Sequence, residues 1–90
     1  MSQAKVIFNY NDTNTTIVCK ADDKFNEIIQ KFGINKDINK VVFLYKGNKI
    51  NKELKFEEII NEEDKINNTI NVIVKDINKN EKVNNYNNII

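Results

Sequence analysis

The chain has no histidine, one cysteine and two glycines in 90 residues, and each scarcity closes off a chemistry. Without a histidine, Cys19 has no ordinary base to activate it, and its place on the inward side of an alternating apolar segment makes it a small hydrophobe. No enzymatic activity is expected. A phosphate cradle built from backbone N–H groups needs glycines that are absent. All 14 basic residues are lysine and are balanced by 13 acidic ones, net +1. The arginines that usually read bases and phosphates are therefore missing, as is a field that would hold nucleic acid or an anionic membrane. Neither is expected as a partner. The acidic group Glu57, Glu58, Glu62, Glu63 and Asp64 lacks the spacing and turn glycine of a metal loop, and reads as a solvated helical end. No metal or cofactor is expected.

Long apolar runs are also missing: none approaches the ~18 residues that cross a bilayer. MSQAKVIFNY has no basic-then-apolar signal pattern with a small-residue cleavage site. A cytoplasmic or nuclear location follows as an expectation, and the three Asn-X-Thr triplets carry no meaning without secretion. What the chain has in quantity is asparagine, lysine and isoleucine, whose codons are AT-rich. That usage fits an AT-rich genome and makes a surface asparagine a poor marker of function.

A length of 90 residues allows one domain, whose single core removes roughly 60–65 % of the unfolded surface from water. Lys5 to Tyr10 alternates, with Val6, Phe8 and Tyr10 on one side, and Thr15 to Lys20 alternates with Ile17 and Cys19 on one side. Both read as strands, joined by Asn11-Asp12-Thr13-Asn14 as an antiparallel hairpin. Asp23 is the expected N-cap of a helix carrying Phe25, Ile28, Ile29 and Phe32 on one face. Gly33 ends it in a left-handed conformation, with Ile34 placed to fold back on the last turn.

Val41, Phe43 and Tyr45 then alternate against Val42, Leu44 and Lys46 in a third strand, and Gly47 turns the corner into a brief returning strand, Asn48 to Ile50. Leu54, Phe56, Ile59 and Ile60 fit a short helical turn, and Glu62-Glu63-Asp64 a solvated loop. Ile70, Val72 and Val74 against Asn71, Ile73 and Lys75 make a last strand. Residues 76–90 are poor in apolar residues and aperiodic, and read as an Asn-rich disordered tail or linker behind a domain of residues 1–75. The order β-β-α-β-β-β describes an α+β domain: a mixed sheet of four or five strands with one helix on one face.

Over residues 5 to 75 this pattern resembles the ubiquitin-like (β-grasp) family. FLYKGNKI is similar to that family's third-strand, glycine, short-strand segment. Phe56 and Ile60 resemble the apolar pair of the turn that follows, and TINVIVKD resembles the final strand. The EEDKINNTINVIV run is similar to the acidic, then alternating, end of the small ubiquitin-related modifiers. A conjugated modifier of the family closes with Gly-Gly, whereas this sequence closes Asn-Asn-Ile-Ile, so a non-conjugated domain is expected. Asn48 stands where ubiquitin carries its best-known chain-linking lysine.

With the helix over the face of Val6, Phe8, Phe43 and Val72, the opposite face presents Ile7, Val18, Val42, Leu44 and Ile73. The resemblance implies that this face is the partner-binding surface: Ile7, Val42, Leu44 and Ile73 would contact the partner, and Lys46 and Lys75 would rim it. Leu44 and Ile73 occupy the positions of the family's apolar patch. β-branched residues are favoured on strands in any case, so a plain strand composition stands beside the docking reading. The function expected is a monomeric, noncovalent interaction module that docks to receptors recognising ubiquitin-like domains in the ubiquitin, proteasome or related modifier pathways. The alternative is a β-grasp domain that binds a small GTPase or self-associates through its hairpin edge and charges such as Lys5 and Lys20.

Overall fold

The structure, a computed structural model, describes residues 3–33 and 38–77. Strands β1 (Ala4–Tyr10) and β2 (Thr13–Cys19) form the hairpin, followed by helix α1 (Phe25–Phe32). After a 3₁₀ turn come β3 (Val41–Tyr45), β4 (Asn48–Lys49), the single-turn helix α2 (Phe56–Ile59), a second 3₁₀ turn at Asp64–Ile66 and β5 (Thr69–Asp76). The five strands lie in the order β2-β1-β5-β3-β4. β5 runs parallel to β1 and antiparallel to β3. This is the mixed β-grasp sheet that the sequence leads one to expect.

Alternation of side chains across a strand sends one row of every long strand under α1. Val6, Phe8, Ile70 and Val72 have no exposed surface, and Phe43 has 2 %. α1 lays Phe25, Ile28 and Ile29 onto that row. Four rings meet there. Phe8 stacks on Phe32 at 4.3 Å, and Phe43 stands edge-on to both Phe8 and Phe25 at 6.0 and 5.7 Å. Such pairs contribute about 0.5–1.5 kcal/mol each beyond the apolar area they bury.

Both hairpins close through two residues at positive φ. Asn11 (φ 52°) and Asp12 (φ 64°) join β1 to β2, and Lys46 (φ 54°) and Gly47 (φ 82°) join β3 to β4. That pair of conformations matches the right-handed twist of the flanking strands. The first turn is thus shorter than the expected Asn11–Asn14 connection. Thr13 and Asn14 continue the strand, and the Asn14 side chain accepts a hydrogen bond from Asn9 at 2.8 Å. Gly33, at φ 66° and ψ 37°, ends α1 as expected, with its N–H directed to the Ile29 carbonyl.

The start of α1 departs from expectation by one residue. Lys24, not Asp23, is the N-cap, and its N–H donates to the Glu27 carboxylate at 3.0 Å. Asp23 is held elsewhere: its carboxylate accepts from the Lys20 N–H, and its carbonyl accepts the first N–H of α2. The arrangement is reciprocal, because Phe25 N–H donates to Leu54 and Phe56 N–H to Asp23, while Lys24 and Lys55 form an isolated antiparallel bridge. Lys55 caps α2 with Glu58 as Lys24 caps α1 with Glu27. The sequence carries this as a near-repeat, Lys24-Phe25-Asn26-Glu27-Ile28-Ile29 and Lys55-Phe56-Glu57-Glu58-Ile59-Ile60. Each lead-in satisfies the orphan N–H groups of the other helix.

Asp76, assigned to the tail by composition, is the last residue of β5. The Tyr10 hydroxyl donates to its carboxylate at 2.9 Å, and Ile77 N–H donates to the Lys40 carbonyl at 2.8 Å. The expected contact of Ile34 and the remainder of the expected tail lie outside the described residues.

A Cβ on Gly47 would meet nothing within 4 Å, so its substitution isolates the conformational cost. Gly47→Ala should lower stability by about 1–2 kcal/mol and Gly47→Asn by less, because asparagine tolerates the left-handed region. Urea unfolding of the three proteins side by side measures both.

Candidate protein-interaction face

The row that alternates away from α1 forms the other side of the sheet. Leu44 on β3 lies directly opposite Ile73 on β5, and Val42 opposite Lys75. Ile7 on β1 lies opposite Asn71, one diagonal step from Ile73. Val18 on β2 stands a diagonal step from Ile7. Directly opposed side chains have Cβ atoms about 4.5–5.5 Å apart, and diagonal ones about 7–8 Å. The four strands thus carry one apolar stripe, Val18–Ile7–Ile73–Leu44, with Val42 beside it.

Ile73 and Val18 are 49 % and 46 % exposed; Ile7, Val42 and Leu44 are half-buried. No helix covers them among the described residues. Apolar area left contiguous on a small domain is the feature that interaction sites share.

Two of the rim residues sit differently from one another. Lys75 stands on the outward row beside Val42. Lys46 is in the β3–β4 turn, and its ammonium lies 3.7 Å from the Asp64 carboxylate. That same carboxylate oxygen accepts the Tyr45 hydroxyl proton, and Tyr45 belongs to the buried row. Asp64 therefore draws Lys46 toward the edge of the sheet on the helix side. Sequence reading missed Lys49, which faces Leu44 from β4; Lys5, named there only for the hairpin edge, faces Val18 from β1 on this same row. The signal for Lys49 was its two-residue spacing from Gly47 in a returning strand. No carboxylate occupies an outward position on any of the five strands.

Asp64 also corrects the reading of Glu62-Glu63-Asp64 as a solvated loop. It is half-buried, its N–H donates to the Asn61 side chain at 2.9 Å, and the Asn61 N–H donates to the Tyr45 hydroxyl at 3.2 Å. The network fastens the approach to β5 onto the end of β3, and so holds the Leu44–Ile73 pair in register. Burial pushes the Tyr45 hydroxyl from its ordinary value of 10.0 up to about 12; the Asn61 N–H opposes the shift and the Asp64 carboxylate adds to it.

The remaining chemistry is sparse. Cys19 is buried, and desolvation, with Asp23 nearby, raises its thiol to about 11 against a smaller opposing effect of Lys31. It is a neutral thiol at physiological pH. Among the described residues no group of three histidine, cysteine or carboxylate side chains could hold a metal, and no helix is long and apolar enough to cross a membrane. An open groove of about 380 Å³ runs between β4 and α2, lined by Tyr45, Lys49, Ile50, Leu54 and Ile59 among others.

No family model matches the chain, and no curated protein matches it. Among solved structures it is similar to the solution NMR structure of the ubiquitin-like domain of an Arabidopsis thaliana protein, with a TM-score of 0.63 at 13 % identity over 87 % of this chain and 81 % of that one. The likeness shows the fold: this chain has a ubiquitin-like β-grasp fold.

Tyr45 gives a pH test. A hydroxyl whose value is raised on folding adds stability that is intact below pH 10 and is lost as pH rises through about 12. Tyr45→Phe should therefore reduce the loss of stability between pH 10 and 12, while costing about 1–3 kcal/mol at neutral pH by leaving the Asn61 N–H without its acceptor. Urea unfolding of both proteins across that range reads the two effects separately.

Proposed function

We propose that the protein is a noncovalent docking module, and that a protein partner grips the outward face of its sheet through Ile7, Val42, Leu44 and Ile73. The observation that carries this reading is the directly opposed Leu44–Ile73 pair, which no helix covers among the described residues, on a face with no carboxylate at its strand positions. Lys75 and Lys49 edge the apolar stripe, and Lys46, paired with Asp64 at the β3–β4 turn, would reach it only by leaving that carboxylate. A partner that buries the stripe and sets acidic or neutral polar groups against the lysines complements it best. Receptors that recognise ubiquitin-like domains, in the ubiquitin, proteasome or related modifier pathways of the cytoplasm or nucleus, are the class the reading points to. The ubiquitin-like fold supports that assignment.

Leu44→Ala should weaken partner capture from extracts of the source cell by at least about tenfold, the scale of a truncated interface anchor. Gln30→Ala, at an exposed position of α1 and so off this face, should leave capture unchanged. Binding should fall only slightly between low and high salt, since burial of apolar area is screened little by ions. Capture indifferent to Leu44→Ala, or steeply lost with salt, would favour the edge-and-lysine alternative.

A further inference from the structure

The two edges of the sheet are unlike. β4 is two residues long and ends in Lys49, a short, charged edge of the kind that blocks pairing with another chain. β2 runs for seven residues, Thr13–Cys19, without a charge or a proline, and no strand lies beyond it among the described residues. Long, uncharged edges of this sort are templates for another strand.

The hairpin register says which groups are free. A two-residue turn of this type makes its flanking pair, Tyr10 and Thr13, a hydrogen-bonded one, and alternation gives the same role to Thr15, Ile17 and Cys19. The N–H and C=O groups of Asn14, Thr16 and Val18 therefore point away from β1. All three residues are exposed.

We propose that this edge pairs antiparallel with the same edge of a second copy of the chain, about a twofold axis at Thr16. In that register Thr16 faces its own counterpart and Asn14 faces the second copy's Val18. Every edge-directed N–H finds a carbonyl, and every edge-directed carbonyl an N–H; a slip by two residues strands one residue's groups at each end. The same register sets Lys20 opposite the second copy's Asp12, once at each end of the ribbon. Both are exposed, so the edge complements itself in charge. On the helix side Ile17, only partly buried at the sheet margin, gains the second copy's Thr15 as a neighbour. An isologous contact of this kind closes at two subunits. An interface one strand wide is small, which places its dissociation constant at roughly 0.1–1 mM. Self-association stands against the monomer that the sequence leads one to expect. It uses the edge and not the outward face, so it stands or falls apart from the function proposed above.

Sedimentation of the full chain between roughly 20 µM and 2 mM, around that constant, together with amide hydrogen exchange at each concentration, tests the proposal. The expected result is a monomer–dimer equilibrium in which the amides of Asn14, Thr16 and Val18 gain protection as concentration rises. Thr16→Lys, which sets two ammonium groups face to face on the axis, should weaken association at least about tenfold. Lys20→Asp should weaken it too, and Asp12→Lys with Lys20→Asp should restore it; lysine is accommodated at positive φ, as Lys46 shows in the other turn. A chain that sediments as a monomer throughout overturns the proposal. So does a dimer indifferent to Thr16→Lys, or one abolished by Leu44→Ala.

Discussion

Phe8 lies in β1, between the hairpin partner on one side and the parallel β5 on the other, and its ring touches Phe25 and Phe32 from the helix and Phe43 from β3. Burying that ring cluster is the constraint on which the other features depend. Because side chains alternate along a strand, fixing Phe8, Phe43 and Val72 beneath α1 fixes Ile7, Leu44 and Ile73 on the other side. A register slip of one residue would exchange the two rows. The candidate surface is thus a geometric consequence of the core.

The edges of this arrangement are held by polar contacts in place of apolar ones. Two helix starts that lack side-chain caps of the usual Ser, Thr, Asp or Asn type feed each other's first N–H groups, with Glu27 and Glu58 each accepting from the lysine three residues before it. Tyr45, Asp64 and Asn61 fasten the approach to β5 onto β3, and the Tyr10–Asp76 contact closes the opposite end of the sheet. These contacts lie toward the two ends of β5, on either side of the directly opposed Leu44–Ile73 pair.

Much of the fold was legible because the period of two is strong in VIFNY, VVFLY and TINVIV, and because Gly33 and Gly47 mark places where only a left-handed residue fits. The apolar positions of the outward face were legible for the same reason. What escaped the sequence were features set by partners distant along the chain. Asp23 is a good capping residue by type, but its carbonyl and carboxylate are committed to Phe56 and Lys20. Asp64 sits in an acidic run that reads as solvated, until β3 places the Tyr45 hydroxyl beside it. Lys46 follows the alternation on paper, yet positive φ and the Asp64 carboxylate take it off the row. Thr13 and Asn14 look like turn residues and become strand because Asn11 and Asp12 complete the reversal alone.

Adjacent residues of β5 test the central claim most directly. Val72 has no exposed surface and Ile73 is 49 % exposed, so the same substitution at each should have opposite consequences. Urea unfolding is expected to show Ile73→Lys folded, with stability changed by no more than about 1 kcal/mol, and Val72→Lys unfolded or weakened by several, from an unpaired charge in the core. An Ile73→Lys protein that fails to fold, or a Val72→Lys protein as stable as the parent, would contradict the division of the sheet into a buried face and a free one.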